Sequence, residues 1–550
     1  MKAQSEVPVL IVGAGPTGMT AAILLARLGI QSLVVERSES LRRAPAAHVV
    51  NARTFEVFRS AGVDMDAIAA ACKSPRDAGA VRWVTTLAGE ELGALPFERQ
   101  GDEVLGLTPT PLRNLSQHRL EPILYDHLRK QEAASVRLGH EWLSAERDAA
   151  GVTSRIRDTA TGDTAEVRSR WLLAADGAGS PIRKALDIEP VGPPRLAAFL
   201  TIHFAADLRP LVAGRPAVLY WICDPSARGT FIAHDIDREW VFMHSLDPDR
   251  ESPVDYPEAR CAEIVRRAIG RADVDFEIRT LSPWTMSAQV AARYREGRVF
   301  LLGDAAHRFP PTGGLGLNTG VQDAHNLAWK LAAVESGWAR PALLESYELE
   351  RRPVAQEDAD VSLRNAGRML EVLQALGPQS DGDRARVRAA IEHQAEHFDM
   401  LGLQLGFQYE AGAVVPDGSP RPTVRNPVRE YAPSGRPGAR LPHAWLPCAG
   451  SAAPRSTLDL VPPDRFLLIA GAEGDAWLAA ASAIERPPLA CVAIGRDVPD
   501  PGGAWSAELG IEPDGALLVR PDQHVAWRAH GDVIDPRATL RGVFARVLGS

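Results

Sequence analysis

The chain has 550 residues, 45% of them apolar and 24% charged, a globular composition that can fill a sizeable core. At roughly 150 residues per domain, its length predicts three or four domains. A net charge of −9 with no Lys- or Arg-rich tract speaks against nucleic acid and against anionic membrane surfaces as partners.

Five cysteines, Cys72, Cys223, Cys261, Cys448 and Cys491, are scattered without a CxxC pair. That fits reduced thiols in a cytoplasmic protein and argues against a disulfide-relay flavoenzyme. No Cys/His cluster has the spacing of a metal site. No apolar run is long enough for a membrane span, and the stretch at 7–12 is too short for a signal peptide.

In chain order, residues 7–36 read as strand, glycine turn, helix and strand. Residues 9–12 are a continuous apolar run, as a strand buried on both faces requires, and 20–28 carry Ala and Leu at helical spacing. Residues 32–35 form a second apolar strand ending at Glu36, and a helix is predicted over 51–60. The middle of the chain differs: 81–84, 198–204, 217–222, 230–233 and 240–244 are short β-type runs, with a polar turn at 235–239. They predict a mostly antiparallel sheet separate from the first fold. Apolar strands with acidic ends at 170–176 and 298–304 return to that first fold. Helical periodicity follows at 323–336, 343–371 and 384–397. A shift to Pro, Gly and Arg over 415–442 reads as a linker, and strands at 466–470, 489–494 and 517–528 predict a small C-terminal α/β domain.

Three segments carry chemistry. Gly13-Ala14-Gly15-Pro16-Thr17-Gly18 is a GxGxxG turn between a strand and a helix, with an acid, Glu36, at the end of the next strand. Gly13 permits the tight turn, Gly15 lets backbone approach a pyrophosphate, and Gly18 lets the helix pack on the sheet; Glu36 can bind a ribose. This motif alone does not distinguish FAD from NAD. The second segment, Leu301-Leu302-Gly303-Asp304 with Pro310, Pro311 and the run 313–320, sets an acid at a strand tip and a glycine-rich loop behind it. That arrangement suits a polyol hydroxyl and the electron-rich edge of a ring. The third segment, Asp176-Gly177 with Arg183, is a strand ending in a turn. A second complete strand–GxGxxG–helix unit is absent from the sequence.

Together, in this order and rough spacing, the three segments resemble the class A FAD-dependent aromatic hydroxylases over about residues 5–370. The tail, through 437–443 and 518–528, resembles the thioredoxin-like domain of the phenol hydroxylase branch. The resemblance implies an α/β architecture: a Rossmann-like FAD-binding domain of glutathione-reductase type (1–75, 105–190 and 285–370), an inserted mostly antiparallel substrate sheet (76–104 and 191–284), a helical connection (371–414) and a thioredoxin-like C-terminal domain (415–550). Without a CxxC pair, a redox role for that last domain is not expected.

It also implies roles. Gly13, Gly15, Pro16, Thr17, Gly18, Glu36 and Arg37 would bind the adenosine diphosphate part of FAD, with Arg42 or Arg43 on the pyrophosphate or an incoming nicotinamide nucleotide. Gln117 and Asp304 would hold the ribityl chain, and Pro311, Gly314, Gly316, Leu317 and Asn318 would line the flavin ring. Asp176 and Arg183 would serve both FAD and nicotinamide binding. The implied cycle is reduction of FAD by NAD(P)H, reaction with O2 to a C4a-hydroperoxide, and oxygen transfer to a phenolic or fused aromatic substrate. His48 is the candidate base, at a position where the branch places an Asp, and Tyr220 and His234 are candidate pocket residues. His307 is expected to position rather than react. A homodimer is allowed as a further partner. The rival readings are a Baeyer–Villiger-type oxygenase or reductase on the same fold, and a flavin-binding protein without turnover.

Overall fold

The computed structural model describes residues 5–247, 249–376, 381–446 and 455–549; Cys448 lies outside them. The strand Ser5–Val12 occupies the middle of an eight-stranded sheet, parallel to Ser32–Glu36 on one side and Thr164–Ala174 on the other. Val9, Leu10 and Ile11 have no exposed surface, because the sheet is covered on both faces. Beyond it, Val299–Leu301 adds in parallel to Thr164–Ala174, and Ala134–Leu138 adds to Ser32–Glu36. The chain leaves Val12 through Gly13 into the helix Pro16–Arg27, which packs beside the long helix Leu315–Glu335.

The inserted sheet has seven strands in the order Glu277–Met286, Ala197–Ala205, Glu239–Leu246, Gly229–Asp235, Leu219–Ile222, Ala80–Val84, Glu91–Pro96. All pairs are antiparallel except Leu219–Ile222 with Ala80–Val84. Strand alternation gives it two unlike faces. One face buries Phe204, Tyr220, Phe231, Trp240 and Phe242 beneath the amphipathic helix Glu258–Ile269. The other places Trp83 and Trp221 against Val372 and Phe398 of the helical segments that follow the FAD fold, and turns His234 toward the first domain.

The C-terminal sheet runs Leu489–Ala493, Phe466–Ala470, Ala516–Val519, Val525–Ala529, the first pair parallel and the others antiparallel. Helices Asp475–Ser482 and Pro536–Val547 cover one face, where Trp477, Phe466, Phe544 and Trp527 pack with Trp329 of the FAD fold. The stretch 415–442, expected as a linker from its composition, forms no helix or extended strand but is tied down. Val415 N–H donates to Ala526 O at 2.8 Å and Gly438 N–H to Val525 O at 2.7 Å. Arg440 is buried and paired with Glu56 of the helix Ala52–Ala61. Pro and Gly remove regular structure here without freeing the chain, since its polar groups find fixed partners.

Candidate functional site: a flavin cradle beneath the inserted sheet

The three sequence segments meet. Gly13 has φ +107°, and a Cβ there would stand 2.1 Å from the Ala175 carbonyl oxygen, so the first turn lies directly against the Asp176 segment. A Cβ on Gly320 would stand 2.3 Å from Thr17 Oγ1, and one on Gly303 2.7 Å from it. Thr17 therefore joins the first motif to the Gly303-Asp304 turn. Arg183 closes the third side: its guanidinium donates to Ala305 O at 2.8 Å and to Ala178 O at 3.1 Å.

What these contacts leave open fits FAD. Gly15 caps the helix Pro16–Arg27, and a Cβ there would meet nothing within 4 Å, so space is reserved at a helix N-terminus whose cap residue has no side chain. Glu36 accepts from Ala14 N–H at 3.0 Å and Ser38 N–H at 2.9 Å, which fixes the carboxylate while leaving lone pairs for a ribose hydroxyl. The Asp304 carboxylate is open to the cleft and takes no hydrogen bond from the described residues. Crowding by surrounding protein pushes its carboxyl above the ordinary range, against His307, Arg308 and Arg42. Asp176 is shifted the same way by burial: Oδ2 accepts from Ile182 N–H at 3.2 Å, while Oδ1 is buried without a partner among the described residues. Two under-used carboxylates and an open helix terminus are what a dinucleotide with a polyol chain would complete.

The comparisons with known proteins agree. Residues 6–362 match the family model described as an FAD binding domain, and residues 434–550 match that of the aromatic-ring hydroxylase C-terminal region. The chain belongs to the FAD-dependent aromatic-ring hydroxylases. It is 34% identical to 2,4-dichlorophenol 6-monooxygenase of Delftia acidovorans, over 98% of both chains. It is 37% identical to tetracenomycin B2 monooxygenase-dioxygenase of Streptomyces olivaceus, over 99% of both. Among solved structures, the flavin-dependent monooxygenase PieE in complex with FAD and substrate superposes with a TM-score of 0.92 at 37% identity, over the full length of both chains. Aklavinone-11 hydroxylase with FAD and aklavinone does so at 0.83 and 35%, again over both full lengths. The expected architecture, a Rossmann-like FAD-binding fold of glutathione-reductase type with an inserted sheet and a thioredoxin-like tail, is the one this hydroxylase has. No helix among the described residues is long and apolar enough to cross a membrane.

Other residues expected at the flavin divide into two kinds. Gln117 begins the helix Gln117–Leu128, and its amide donates to Glu121 Oε1 at 2.7 Å; Glu121 Oε2 in turn accepts from Arg42 N–H at 3.3 Å. Arg37, Arg42 and Arg43 are exposed at the surface. Pro311 is exposed on the flavin loop, and Gly316 lies beside Asp304 with space for a Cβ. Gly314 has φ +63° and is pressed onto Val49, while Leu317 packs against the main core. Asn318 departs from the expected ring-lining role in its side chain. Its amide donates to Val49 O at 3.0 Å and Gly314 O at 2.6 Å, and accepts from Asn51 N–H at 2.9 Å. It latches the loop to the segment carrying His48, so any contact with the ring falls to its backbone. His307 Nε2 pairs with Asp323 Oδ2 at 2.9 Å, and the same oxygen accepts from Gly303 N–H at 3.1 Å.

Tyr220 is a correction. It lies on the sheet face turned away from the flavin loop, fully buried against Trp240 and Phe231, with its hydroxyl donating to Arg215 O at 3.1 Å. Alternation along a strand identifies two faces but not which one meets the cofactor. His234 takes the other face. Its ring meets His48 edge-on at 5.7 Å between centroids, and Nδ1 lies 2.6 Å from Ser116 Oγ. His48 Nδ1 lies 2.9 Å from Asn114 Oδ1.

Around this pair the structure gathers residues that the sequence did not single out. His118 Nε2 is 3.2 Å from Glu239 and His203 Nε2 is 3.5 Å from it. Arg119 bridges Glu239 and Asp235, and the Lys73 Nζ is buried without a hydrogen-bond partner among the described residues. Burial, with Lys73 nearby and Asn114 opposing, lowers His48 to about 4. Burial, with Arg119 adding to it and Asp235, Glu239 and Asp77 opposing, lowers Lys73 to about 7. Lys73 follows a short helix in an unpatterned loop, so nothing local marks it; only the fold carries it to Asn114, to which its own N–H donates at 2.9 Å.

Proposed function

We propose that this hydroxylase uses NAD(P)H and O2 to hydroxylate a phenolic or fused aromatic substrate held between the flavin loop and the inserted sheet, with His48 accepting the hydrogen bond of the substrate hydroxyl. The observation that carries this reading is the His48–His234 pair. Residue 49 contacts Gly314 and Asn318 of the flavin loop, while His234 belongs to the sheet, so the pair marks where the two surfaces meet. The relatives named for dichlorophenol and tetracenomycin chemistry, and the neighbours holding FAD with substrate or aklavinone, support the aromatic class.

FAD, when bound, supplies hydride acceptance and oxygen activation; the protein supplies position and exclusion of water. Gly15 and the helix behind it would take the pyrophosphate, Glu36 the ribose, and Asp304 with Gln117 the ribityl hydroxyls. His48 is neutral near pH 7, so it offers a lone pair rather than a charge to the phenol O–H. Drawing on that proton makes the ring more electron-rich at the carbon to be hydroxylated. His234, fixed by Ser116, keeps the imidazole edge in place. No second dinucleotide fold is present among the described residues, which suits NAD(P)H visiting the Asp176–Arg183 side and leaving.

The test is NAD(P)H oxidation over a panel of phenols and polycyclic phenols, with peroxide measured in the same samples. Stimulated oxidation without matching peroxide supports coupled hydroxylation. Bound FAD with no aromatic-stimulated oxidation by any compound would instead favour a flavin-binding protein without turnover.

A further inference from the structure

A cavity of about 280 Å3 lies apart from the cradle, lined by Arg147, Arg295 and Arg298 together with Trp171 and Asp148. Arg298 immediately precedes the strand Val299–Leu301, so the cavity stands at the far end of that strand from the Gly303-Asp304 turn. Two of the arginines are half-buried and held in place without an acidic partner. Arg298 donates from Nε and Nη2 to Ala149 O, at 3.0 and 2.8 Å, and its guanidinium lies 4.7 Å from the centre of the Trp171 ring. Arg295 donates from Nε to Gly297 O at 2.8 Å and lies 5.2 Å from the centre of the Phe300 ring. Trp171 is itself buried, and its N–H is taken by Glu335 at 2.7 Å.

Neighbouring arginines show what these two lack. Arg168 meets Asp148 at 2.7 Å, and Arg293 pairs with Glu296. Asp148 is the one carboxylate on the cavity wall, and Arg168 and the N–H groups of Ala150 and Gly151 already occupy its Oδ1. Arg147 reaches Glu296 only at 3.9 Å. Both terminal nitrogens of Arg295 and the Nη1 of Arg298 make no hydrogen bond among the described residues. Burial, with Arg298 adding to it and Glu345 and Glu348 opposing from beyond ion-pair distance, lowers the Arg295 guanidinium below its ordinary value. In a chain of net charge −9, three arginines thus converge on a cavity whose only carboxylate is already committed.

We infer that this cavity binds a phosphate group, carried either by the free ion or by a small phosphomonoester, through Arg295 and Arg298 with Arg147 at its rim. A guanidinium presents its N–H donors in a planar fork that matches phosphate oxygens two at a time, and such charge-assisted bonds are about twice as strong as neutral ones. The aromatic rings and the backbone carbonyls fix both forks beforehand, so little freedom is lost when an anion arrives. The size sets an upper limit on the ligand. The cavity falls just under the roughly 300 Å3 at which sites for drug-sized molecules begin, which suits a phosphate or a mononucleotide and excludes a second dinucleotide. The inference goes beyond the hydroxylase reading and does not depend on it, since none of these residues belongs to the cradle.

The test is calorimetric titration of the FAD-loaded full-length chain, in a phosphate-free buffer of low ionic strength, with inorganic phosphate and with adenosine 5′-phosphate. The wild type is compared with Arg295→Gln, Arg298→Gln and Arg250→Gln; FAD fills the adenosine site of the cradle beforehand. The wild type is expected to bind one equivalent of phosphate or of the nucleotide. Arg295→Gln and Arg298→Gln should each weaken that binding about tenfold or more, roughly what one charge-assisted hydrogen bond contributes. Arg250→Gln removes an equal charge from an exposed turn of the inserted-sheet domain and should hold the affinity within about twofold. Because Arg298 also ties Ala149 in place, Arg295→Gln is the cleaner variant: its head group bonds only within its own turn, so its thermal midpoint should match the wild type. Similar affinities for the two ligands identify free phosphate as sufficient, and a clearly tighter nucleotide identifies a phosphomonoester; either result supports the site. No binding of either ligand to the wild type, binding unchanged in Arg295→Gln, or an equal loss in Arg250→Gln would overturn it.

Discussion

The seam between the FAD fold and the C-terminal domain, and the surface the inserted sheet turns toward His48, are both buried and both polar, but they are satisfied to different degrees. In the seam every charge faces its opposite. Arg520 grips Glu350 with two contacts of 2.8 Å and also pairs with Asp522; Lys330 reaches Glu350 at 2.6 Å. Arg53 and Arg440 share Glu56, and these side chains are at most 1% exposed. Burial works against ionised carboxylates, yet Arg440 and Arg53 hold Glu56 at about 2, and Arg520 and Lys330 hold Glu350 at about 2. Where the inserted sheet meets the first domain, by contrast, Lys73 Nζ and His118 Nδ1 from that domain and His203 Nδ1 and Trp221 Nε1 from the sheet lack partners among the described residues. The paired charges of the seam fix one arrangement of domains, and the atom there that lacks a partner among the described residues, Trp329 Nε1, is uncharged; around His48 the unpartnered atoms are charged or titratable groups as well.

The comparison breaks first in the seam. Arg520→Met leaves Glu350 and Asp522 without their shared cation, and the expected loss is about 3–5 kcal/mol, read as a lowered midpoint in calorimetry. An unchanged midpoint would mean the seam does not hold the C-terminal domain. Next comes the cradle. Asp304→Ala removes an acceptor for the ribityl chain, and FAD affinity should fall by about 1.5–3 kcal/mol, measured by fluorescence of released flavin. A variant that stays fully yellow removes Asp304 from that role.

A pair of glycine variants sharpens the contrast between residues that hold the fold and residues that hold the ligand. Gly13→Ala forces a left-handed φ and a backbone collision, with about 1–3 kcal/mol of strain showing as reduced stability even without FAD. Gly15→Ala has room for its methyl, so the FAD-free midpoint should stay put while FAD retention weakens. Equal loss of stability in the two would show that both glycines serve packing. The smallest expected effect is at the face itself. His48→Ala should keep FAD and slow the oxygen-transfer step about tenfold, modest for a base because an imidazole held near about 4 is a weak one. Stopped-flow with an active phenol reads that step directly, and an unaltered rate would take His48 out of the site.

Much of the cradle was legible in the chain because its signals are local. Three glycines at fixed spacing, an acid ending each strand and an apolar run before each turn are dictated by backbone geometry within a few residues. The inserted sheet was legible only in part. Glu277–Met286 and Glu91–Pro96 escaped because they are outer strands whose residues are mostly exposed or half-buried, so no apolar alternation marks them. Tyr220 failed for a different reason: period-two alternation separates faces, but the helix Glu258–Ile269, distant in sequence, decides which face is core. The stretch at 415–442 looked like a tether because composition does not report that Arg440 will meet Glu56, 384 residues away. Lys73, His118 and Glu239 were illegible for the same cause, since their chemistry exists only once their three separate segments converge.

The most direct test of the cradle is the flavin content of the purified full-length chain after incubation with FAD and removal of the excess. Three converging segments with open carboxylates predict one FAD per polypeptide, with a flavin absorbance band that disappears in Asp304→Ala. A colourless protein that takes up no flavin would contradict the cradle and everything built on it.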